Sequence, residues 1–237
     1  MKTALYPAKD RGHVSLGWLD SYHSFSFGQY NDPKKVHFGA LRVVNDDSIA
    51  GGGGFGTHPH DNMEIVTIPL EGKLAHKDST GNEGIISKGD VQIMSAGTGI
   101  RHSEYNASAS ENAKLLQIWV FPKLKNIKPV YGQKTFDIKD RKNKWQVVVS
   151  PDAADQALGI NQDARFSLAQ LDKGESVSYE TKFKGSGVYL FVIDGEVKIG
   201  DQELKKRDAI GLSDTDHLEI KASTNSEILA IEVPMLF

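Results

Sequence analysis

Cysteine is absent from the 237 residues. Disulfides, iron–sulfur clusters, thiolate zinc sites and cysteine nucleophiles are therefore excluded, and any metal must sit on His, Asp, Glu, backbone carbonyls or water. Long apolar runs are missing too. No stretch approaches the ~20 apolar residues that span a bilayer, and the opening MKTALYPAKDRG lacks the apolar core of a signal peptide. The expectation is a soluble, cytoplasmic protein without membrane contact. Charge of one sign is scarce: the net charge is −3, without the strongly basic domain or face of a nucleic-acid binder. Lys123, Lys125 and Lys128, and the run from Lys139 to Lys144 with Asp140 inside it, read as solvated loop surface. No segment keeps a convincing helical period. No edge-strand or heptad signal points to an oligomer, so a monomer is the default.

What is there is glycine, 23 residues of it, and short apolar segments of strand length. Ala40–Val44, Glu64–Leu70, Val91–Met94, Leu115–Phe121, Trp145–Val149, Gly187–Ile193 and Ile228–Val233 are rich in Val, Ile and aromatics. Asn45-Asp46-Asp47, Ser79-Thr80-Gly81-Asn82, Lys88-Gly89-Asp90 and Asp194-Gly195 read as turns. Many short strands at regular spacing argue for an all-β sandwich or barrel. A weak internal repeat divides the chain. Ile65–Leu74 and Val188–Val197 each read as strand, acidic-Gly turn, strand; Lys88-Gly89-Asp90 follows the first and Lys206-Arg207-Asp208 the second. His102-Ser103-Glu104 and His217-Leu218-Glu219 come next in the two copies. Two copies of one β-unit are expected, with the boundary within Lys123–Lys144, and Pro151–Asp163 as a long turn.

The eight histidines include His58-Pro59-His60. Alternate residues of a strand share a face, so His58 and His60 point the same way, and Glu64 keeps that parity if no bulge intervenes. His102 and Glu104 form a second pair. Two such strands meeting across a barrel wall would gather four or five N/O ligands, a set suited to iron, zinc, nickel, manganese or copper. A lone His-x-His is more often an ordinary hydrogen-bonded pair. The context raises its weight: Gly51–Gly54 and Gly56 precede the first pair, and Ser95-Ala96-Gly97-Thr98-Gly99 precedes the second. His217 and Glu219 have no His-x-His upstream and read as structural or solvated.

Gly52, His58, His60, Glu64 and Gly72 resemble the first cupin motif in spacing, and Gly89, Ser95, Gly97, His102 and Asn106 the second. Ser95 stands where proline is usual, and two extra residues separate Gly97 from His102. These departures resemble one cupin branch, the pirins. Gly56-Thr57-His58-Pro59-His60-Asp61-Asn62-Met63-Glu64, Leu70-Glu71-Gly72, Ser95 through Glu104, Gln117-Ile118-Trp119-Val120, Gly12-His13 and Trp18 through Phe27 all look like the pirin signature. The resemblance is dense over Arg11–Phe121 and looser beyond, and is closest to bacterial pirin-like proteins with quercetin 2,3-dioxygenase activity.

The resemblance implies an all-β bicupin: an N-terminal metal-binding cupin over residues 1–130 and a C-terminal cupin without metal over 131–237. It implies one divalent ion on His58, His60, His102 and Glu104. Iron(II) is the expected ion, with zinc, nickel, manganese, copper or cobalt able to take the same ligands. Glu64 becomes an alternate ligand, and Glu104 or Glu64 the catalytic proton acceptor. The implied reaction is cleavage of a flavonol such as quercetin by O2, with ring opening and release of carbon monoxide. The alternative is a non-enzymatic, redox-sensing iron protein that modulates a transcription regulator or metabolic enzyme. Phe55, Phe38 and Met94 are candidate pocket linings, His76, on the strand after Gly72, is a candidate to line the barrel, and His13, His23 and His37 are expected to pack and hydrogen-bond.

Overall fold

The computed structural model describes residues 1–237. Twenty-one strands and three short 3-10 helices make up its regular structure. The first twelve strands are β1 (Lys2–Tyr6), β2 (Gly12–Ser15), β3 (Leu19–His23), β4 (Leu41–Ile49), β5 (Gly54–His60), β6 (Glu64–Glu71), β7 (Lys73–Asp78), β8 (Glu83–Ser87), β9 (Asp90–Ser95), β10 (Ile100–Asn106), β11 (Ala113–Val120) and β12 (Val130–Thr135). The others are β13 (Gln146–Val149), β14 (Arg165–Leu171), β15 (Ser176–Glu180), β16 (Ser186–Asp194), β17 (Glu196–Ile199), β18 (Gln202–Lys205), β19 (Ala209–Ser213), β20 (His217–Ala222) and β21 (Ser226–Pro234). No helix is long and apolar enough to cross a membrane.

Two sheets build each barrel. In the first, β12-β9-β6-β11-β4-β3-β2 faces β5-β10-β7-β8; in the second, β1-β19-β16-β21-β14-β13 faces β15-β20-β17-β18. The repeat read from the sequence is structural. Gly72 and Gly195 occupy the same hairpin turn at φ 71° and 84°, and Gly89 and Arg207 the same left-handed position at 99° and 70°. The aspartate after each closes the turn in the same way: Asp90 accepts from Ser87 N at 2.8 Å and Asp208 from Lys205 N at 2.9 Å. Pro151–Asp163 holds only the 3-10 turn Ala153–Asp155.

The expected boundary at 130/131 falls at the head of β12, and a single cut does not describe the chain. β12 pairs with β9 in the first barrel, whereas β1 pairs with β19 in the second. Each exchanged strand covers a sheet edge that would otherwise present unpaired backbone groups. The barrels also share a core. Val66, Ile68 and Leu70 of β6 and Leu116 and Ile118 of β11 pack in one cluster with Phe166, Tyr189, Phe191 and Ile231 of the second barrel. This explains why the run Glu64–Leu70 shows no apolar/polar alternation: both faces of the strand are buried.

Asn45-Asp46-Asp47 is no turn. It lies in the middle of β4, paired with β3 on one side and β11 on the other. Asn45 and Asp47 point into the barrel. Asp46 points out and accepts from Arg11 Nη1 and Arg207 Nε, both at 3.2 Å. Tertiary partners on both faces overrode the local turn propensity of three polar residues.

The interiors of the two barrels differ. The second is filled by apolar side chains, among them Leu190, Ile210, Ala230, Val177 and Ile220. The first has only two small apolar clusters, around Ile49 and Leu115 and around Ile65 and Met94. Between them lie buried polar groups.

Candidate metal centre

β5 and β10 run antiparallel with His58 opposite His102 and His60 opposite Ile100. A bulge then intervenes, so that Glu104 pairs with Phe55. The extra residue on β5, at Gly56-Thr57, lets Phe55, His58 and His60 all reach the interior, which strict alternation would forbid. Gly54 sits beyond the bulge, where a Cβ would come within 2.5 Å of the Glu104 carbonyl oxygen. The glycine run therefore serves a close approach of backbones.

The ligand atoms of His58, His60 and His102 lie within 4.8 Å of one another. His60 Nε2 and His102 Nε2 are 2.9 Å apart, and two nitrogens held about 2.1 Å from one ion in adjacent positions are separated by about 3 Å. His58 Nδ1 donates to the Gly56 carbonyl at 2.8 Å. This fixes the tautomer and leaves Nε2 as a lone pair. Burial, reinforced by the His58 charge, pushes His60 down to about 4 and His102 to about 3. Both imidazoles are neutral near pH 7 and free to ligate.

Glu104 sits two residues beyond His102 on the same inward face and forms a second close group with His102 and His76. It is 1% exposed. Gln117 Nε2 donates to its Oε2 at 2.8 Å, and its Oε1 is buried without a partner. An orphaned carboxylate oxygen costs about 1–3 kcal/mol or more, a cost that a cation within its reach would remove. Burial raises the carboxyl to about 7. The donor set is imidazole nitrogen plus one carboxylate, which fits a divalent transition-metal ion.

Gln117 belongs to a polar rung that crosses the large sheet. Gln92, Thr67, Gln117, Asn45 and His23 are neighbours in register on β9, β6, β11, β4 and β3. All five are buried. The rung is not evident in the sequence, although Thr67 interrupts the apolar Ile65-Val66-Thr67-Ile68 and Gln117 the apolar Leu115-Leu116-Gln117-Ile118. The duplicate turns align Thr67 with Leu190 and Gln92 with Ile210, and the second barrel is apolar there. The polar interior is therefore a property of the first barrel and not of the fold.

A cavity of about 170 Å³ opens onto His58, His60 and Glu104. Leu19, Phe27, Phe55 and Trp119 give it apolar walls, and Ser21, His23, Asn45, Asp47 and Gln117 a polar one. Trp119 packs edge-on against His60 at 4.9 Å between ring centroids. Its Nε1 donates to Gln117 Oε1 at 3.3 Å, so one side chain links the aromatic wall to Glu104.

Residues 6–120 match the family model described as Pirin, and residues 147–233 that of the quercetinase C-terminal cupin domain. A relative named quercetin 2,3-dioxygenase from Escherichia coli K12 is 44% identical over 97% of this chain and 98% of its own length. The chain belongs to the pirin family. A pirin-like protein from Caulobacter vibrioides is 41% identical over 95% of this chain and 97% of its own. The crystal structure of the bacterial pirin YhhW from Escherichia coli in complex with nickel(II) superimposes with a TM-score of 0.92 at 42% identity, covering 98% of this chain and 99% of that one.

Within this pirin, Glu64 is not brought to the histidines. β5 ends at His60, Asn62 turns the chain at φ 44°, and β6 starts in the other sheet. Strand parity does not survive that turn. Glu64 shares the face of Val66 and Ile68 and meets the second barrel, accepting from Ser95 Oγ at 2.6 Å and Asn161 N at 3.0 Å. His76 is buried on β7, opposite Glu104. It lies 3.3 Å from Asp78 Oδ2, to which its Nε2 donates, and stacks on Tyr131. His217 is exposed and pairs with Glu180 at 2.5 Å. The inward residues of β20 are Leu218, Ile220 and Ala222, so the His-x-Glu of the second copy faces the opposite way to that of the first. Phe55 lines the cavity. Phe38 does not: it packs in the shared core against Tyr189, and Met94 belongs to the apolar cluster with Ile65. His13 pairs with Asp20 at 2.6 Å and His37 donates to the Gly39 carbonyl at 2.8 Å.

Proposed function

We propose that this pirin is a metal-dependent dioxygenase that cleaves flavonols such as quercetin with O2, opening the central ring and releasing carbon monoxide, and that His58, His60, His102 and Glu104 hold its ion. The observation that carries this reading is three clustered imidazoles and an orphaned buried carboxylate oxygen at the wall of an aromatic-lined cavity. Two near-full-length relatives bear the name quercetin 2,3-dioxygenase. Iron(II) is the working ion in this proposal; the nickel(II) complex belongs to a relative. The bound ion supplies Lewis acidity toward the flavonol 3-hydroxyl and redox chemistry with O2.

The chain's own residues do the rest. Phe27, Phe55 and Trp119 bind flat rings and exclude water. Glu104 accepts the 3-hydroxyl proton on its carboxylate. Burial raises this carboxyl to about 7 in the metal-free protein; the charge of a bound cation would draw it down again and keep the carboxylate ionised to take the proton. Gln117 keeps the other carboxylate oxygen oriented. Glu64, on the far face of β6, has no part in this scheme.

The test is anaerobic protein loaded with iron(II) and mixed with quercetin and O2. Loss of flavonol absorbance with carbon monoxide release is expected. Absence of turnover, or turnover that survives His58→Ala, overturns the reading.

A further inference from the structure

The cavity has a wall that the proposed reaction does not use. β3 and β4 present their inward side chains in register: Ser21 opposite Asp47, and His23 opposite Asn45. Both cross-strand pairs are hydrogen-bonded. Ser21 Oγ donates to Asp47 Oδ1, and His23 Nδ1 donates to Asn45 Oδ1 at 2.7 Å. All four residues line the cavity while no more than 4% exposed. Lining a barrel with a hydroxyl, a carboxyl, an imidazole and an amide costs free energy that an apolar filling avoids, and the second barrel shows that the fold accepts the apolar filling.

Each pair leaves hydrogen-bonding capacity unspent. Asp47 retains a carboxyl oxygen and Asn45 its amide N–H groups. An acceptor and a donor thus sit two residues apart on one strand face, roughly 7 Å from Cα to Cα. A hydroxyl group both donates and accepts, and a ring edge bearing two neighbouring hydroxyls fits between the two residues. An ether or a ketone would satisfy only Asn45.

The geometry points to a second recognition zone in which Ser21–Asp47 and His23–Asn45 take ring hydroxyls of the substrate away from the ion, so that this wall selects polyhydroxylated over unsubstituted flavonols. The substrate class rests on the dioxygenase reading; the wall and its selectivity do not need turnover to be observed. A site built to bond a hydroxyl rejects the analogue that lacks it, because its own buried groups are then left unpaired.

The test compares quercetin with 3-hydroxyflavone, which has no other hydroxyl, on the full chain loaded with iron(II) under anaerobic conditions. Fluorescence titration gives Kd for each. Wild type is expected to bind quercetin about tenfold tighter or more, and Asp47→Leu to bring the ratio of the two affinities close to one. Ser21→Ala gives an intermediate ratio, and Asp47→Ala replaces Asp47→Leu if that variant does not fold. Wild type that binds the two compounds alike, or binds neither, overturns the inference. So does a variant that weakens both equally, which is what a merely structural wall would do. Failure of the dioxygenase reading registers separately, as flavonol absorbance that persists when O2 is admitted.

Discussion

Glu64 and Glu104 are both about 1% exposed. Their partners separate Glu104, which meets Gln117, His102 and His76, from Glu64, which meets Ser95 and the backbone of Asn161 across the barrel interface. Glu104→Gln should abolish stoichiometric metal binding with the fold intact, whereas Glu64→Gln should keep the metal and lower the melting temperature. Elemental analysis beside thermal melts of both variants checks this, and metal loss in Glu64→Gln would contradict it. Gln117→Leu removes the donor that lies 2.8 Å from Glu104 Oε2. Metal affinity should fall roughly 10–100-fold, as for other residues that hold a ligand in place; competition with a chelator measures it. Asp47 adds a pH signature. Burial raises its carboxyl from 3.8 to about 7, so between those values the folded state keeps a proton that the unfolded state releases. Its contribution to stability is full below about pH 4 and is lost as pH rises through 7. In metal-free protein the melting-temperature gain of Asp47→Asn over wild type should therefore grow from pH 4 to pH 8, and a flat difference would exclude this titration.

At the scale of elements, most strands were legible because Val, Ile and aromatics cluster between turn residues. Glu64–Leu70 appears as β6 and Gly187–Ile193 within β16. Two errors have one cause. Asn45-Asp46-Asp47 reads as a turn and Glu64 reads as facing the metal because local pattern and parity assume that a segment's partners resemble its neighbours in sequence. Asp46 is held in a strand by two arginines distant along the chain, and Glu64 lies past a sheet change that no residue pattern announces. The polar rung was invisible for a related reason: its members are alone in their own strands and meet only once register is known. The Ser95–Gly99 segment, in contrast, is legible as a glycine-punctuated turn ahead of His102. Gly97 stands at φ 49°, and a Cβ there would lie 2.0 Å from the Ile127 carbonyl oxygen. Thr98 N bonds to that same oxygen at 2.9 Å, and Asn62 N to the Gly97 oxygen. Gly97→Ala must break this three-way junction between the β5–β6 turn, the start of β10 and the linker. A loss of about 2 kcal/mol or more is expected, roughly 4–8 °C in Tm, together with weaker metal binding. Calorimetry with metal titration tests both, and an unperturbed Tm would show that the junction yields without cost.

The whole molecule is more unified than its two family matches suggest. Its largest apolar cluster, 27 buried residues, draws on both barrels, β1 and β12 are exchanged between them, and Asp46 ties the back of the metal barrel to the Arg207 turn of the other. The sequence repeat could reveal two units but not this, because the shared core is made by strand faces that look like ordinary barrel interior. The second barrel, apolar inside, contributes a wall against which β4, β6 and β11 are held flat, and those strands carry Asp47, Thr67 and Gln117. Separating the barrels would expose that cluster to water at about 25 cal/mol for each Å² of apolar surface, and either half alone would show an unpaired sheet edge. Unfolding should therefore be a single calorimetric transition in metal-free protein, with van't Hoff and calorimetric enthalpies in agreement. Asp46→Ala leaves the mostly buried Arg11 and Arg207 guanidinium groups without this carboxylate, and should lower that one transition without splitting it. Two resolved transitions in the wild type would mean that the barrels fold as independent domains, and the coupling of the second barrel to the metal pocket would then fail with them.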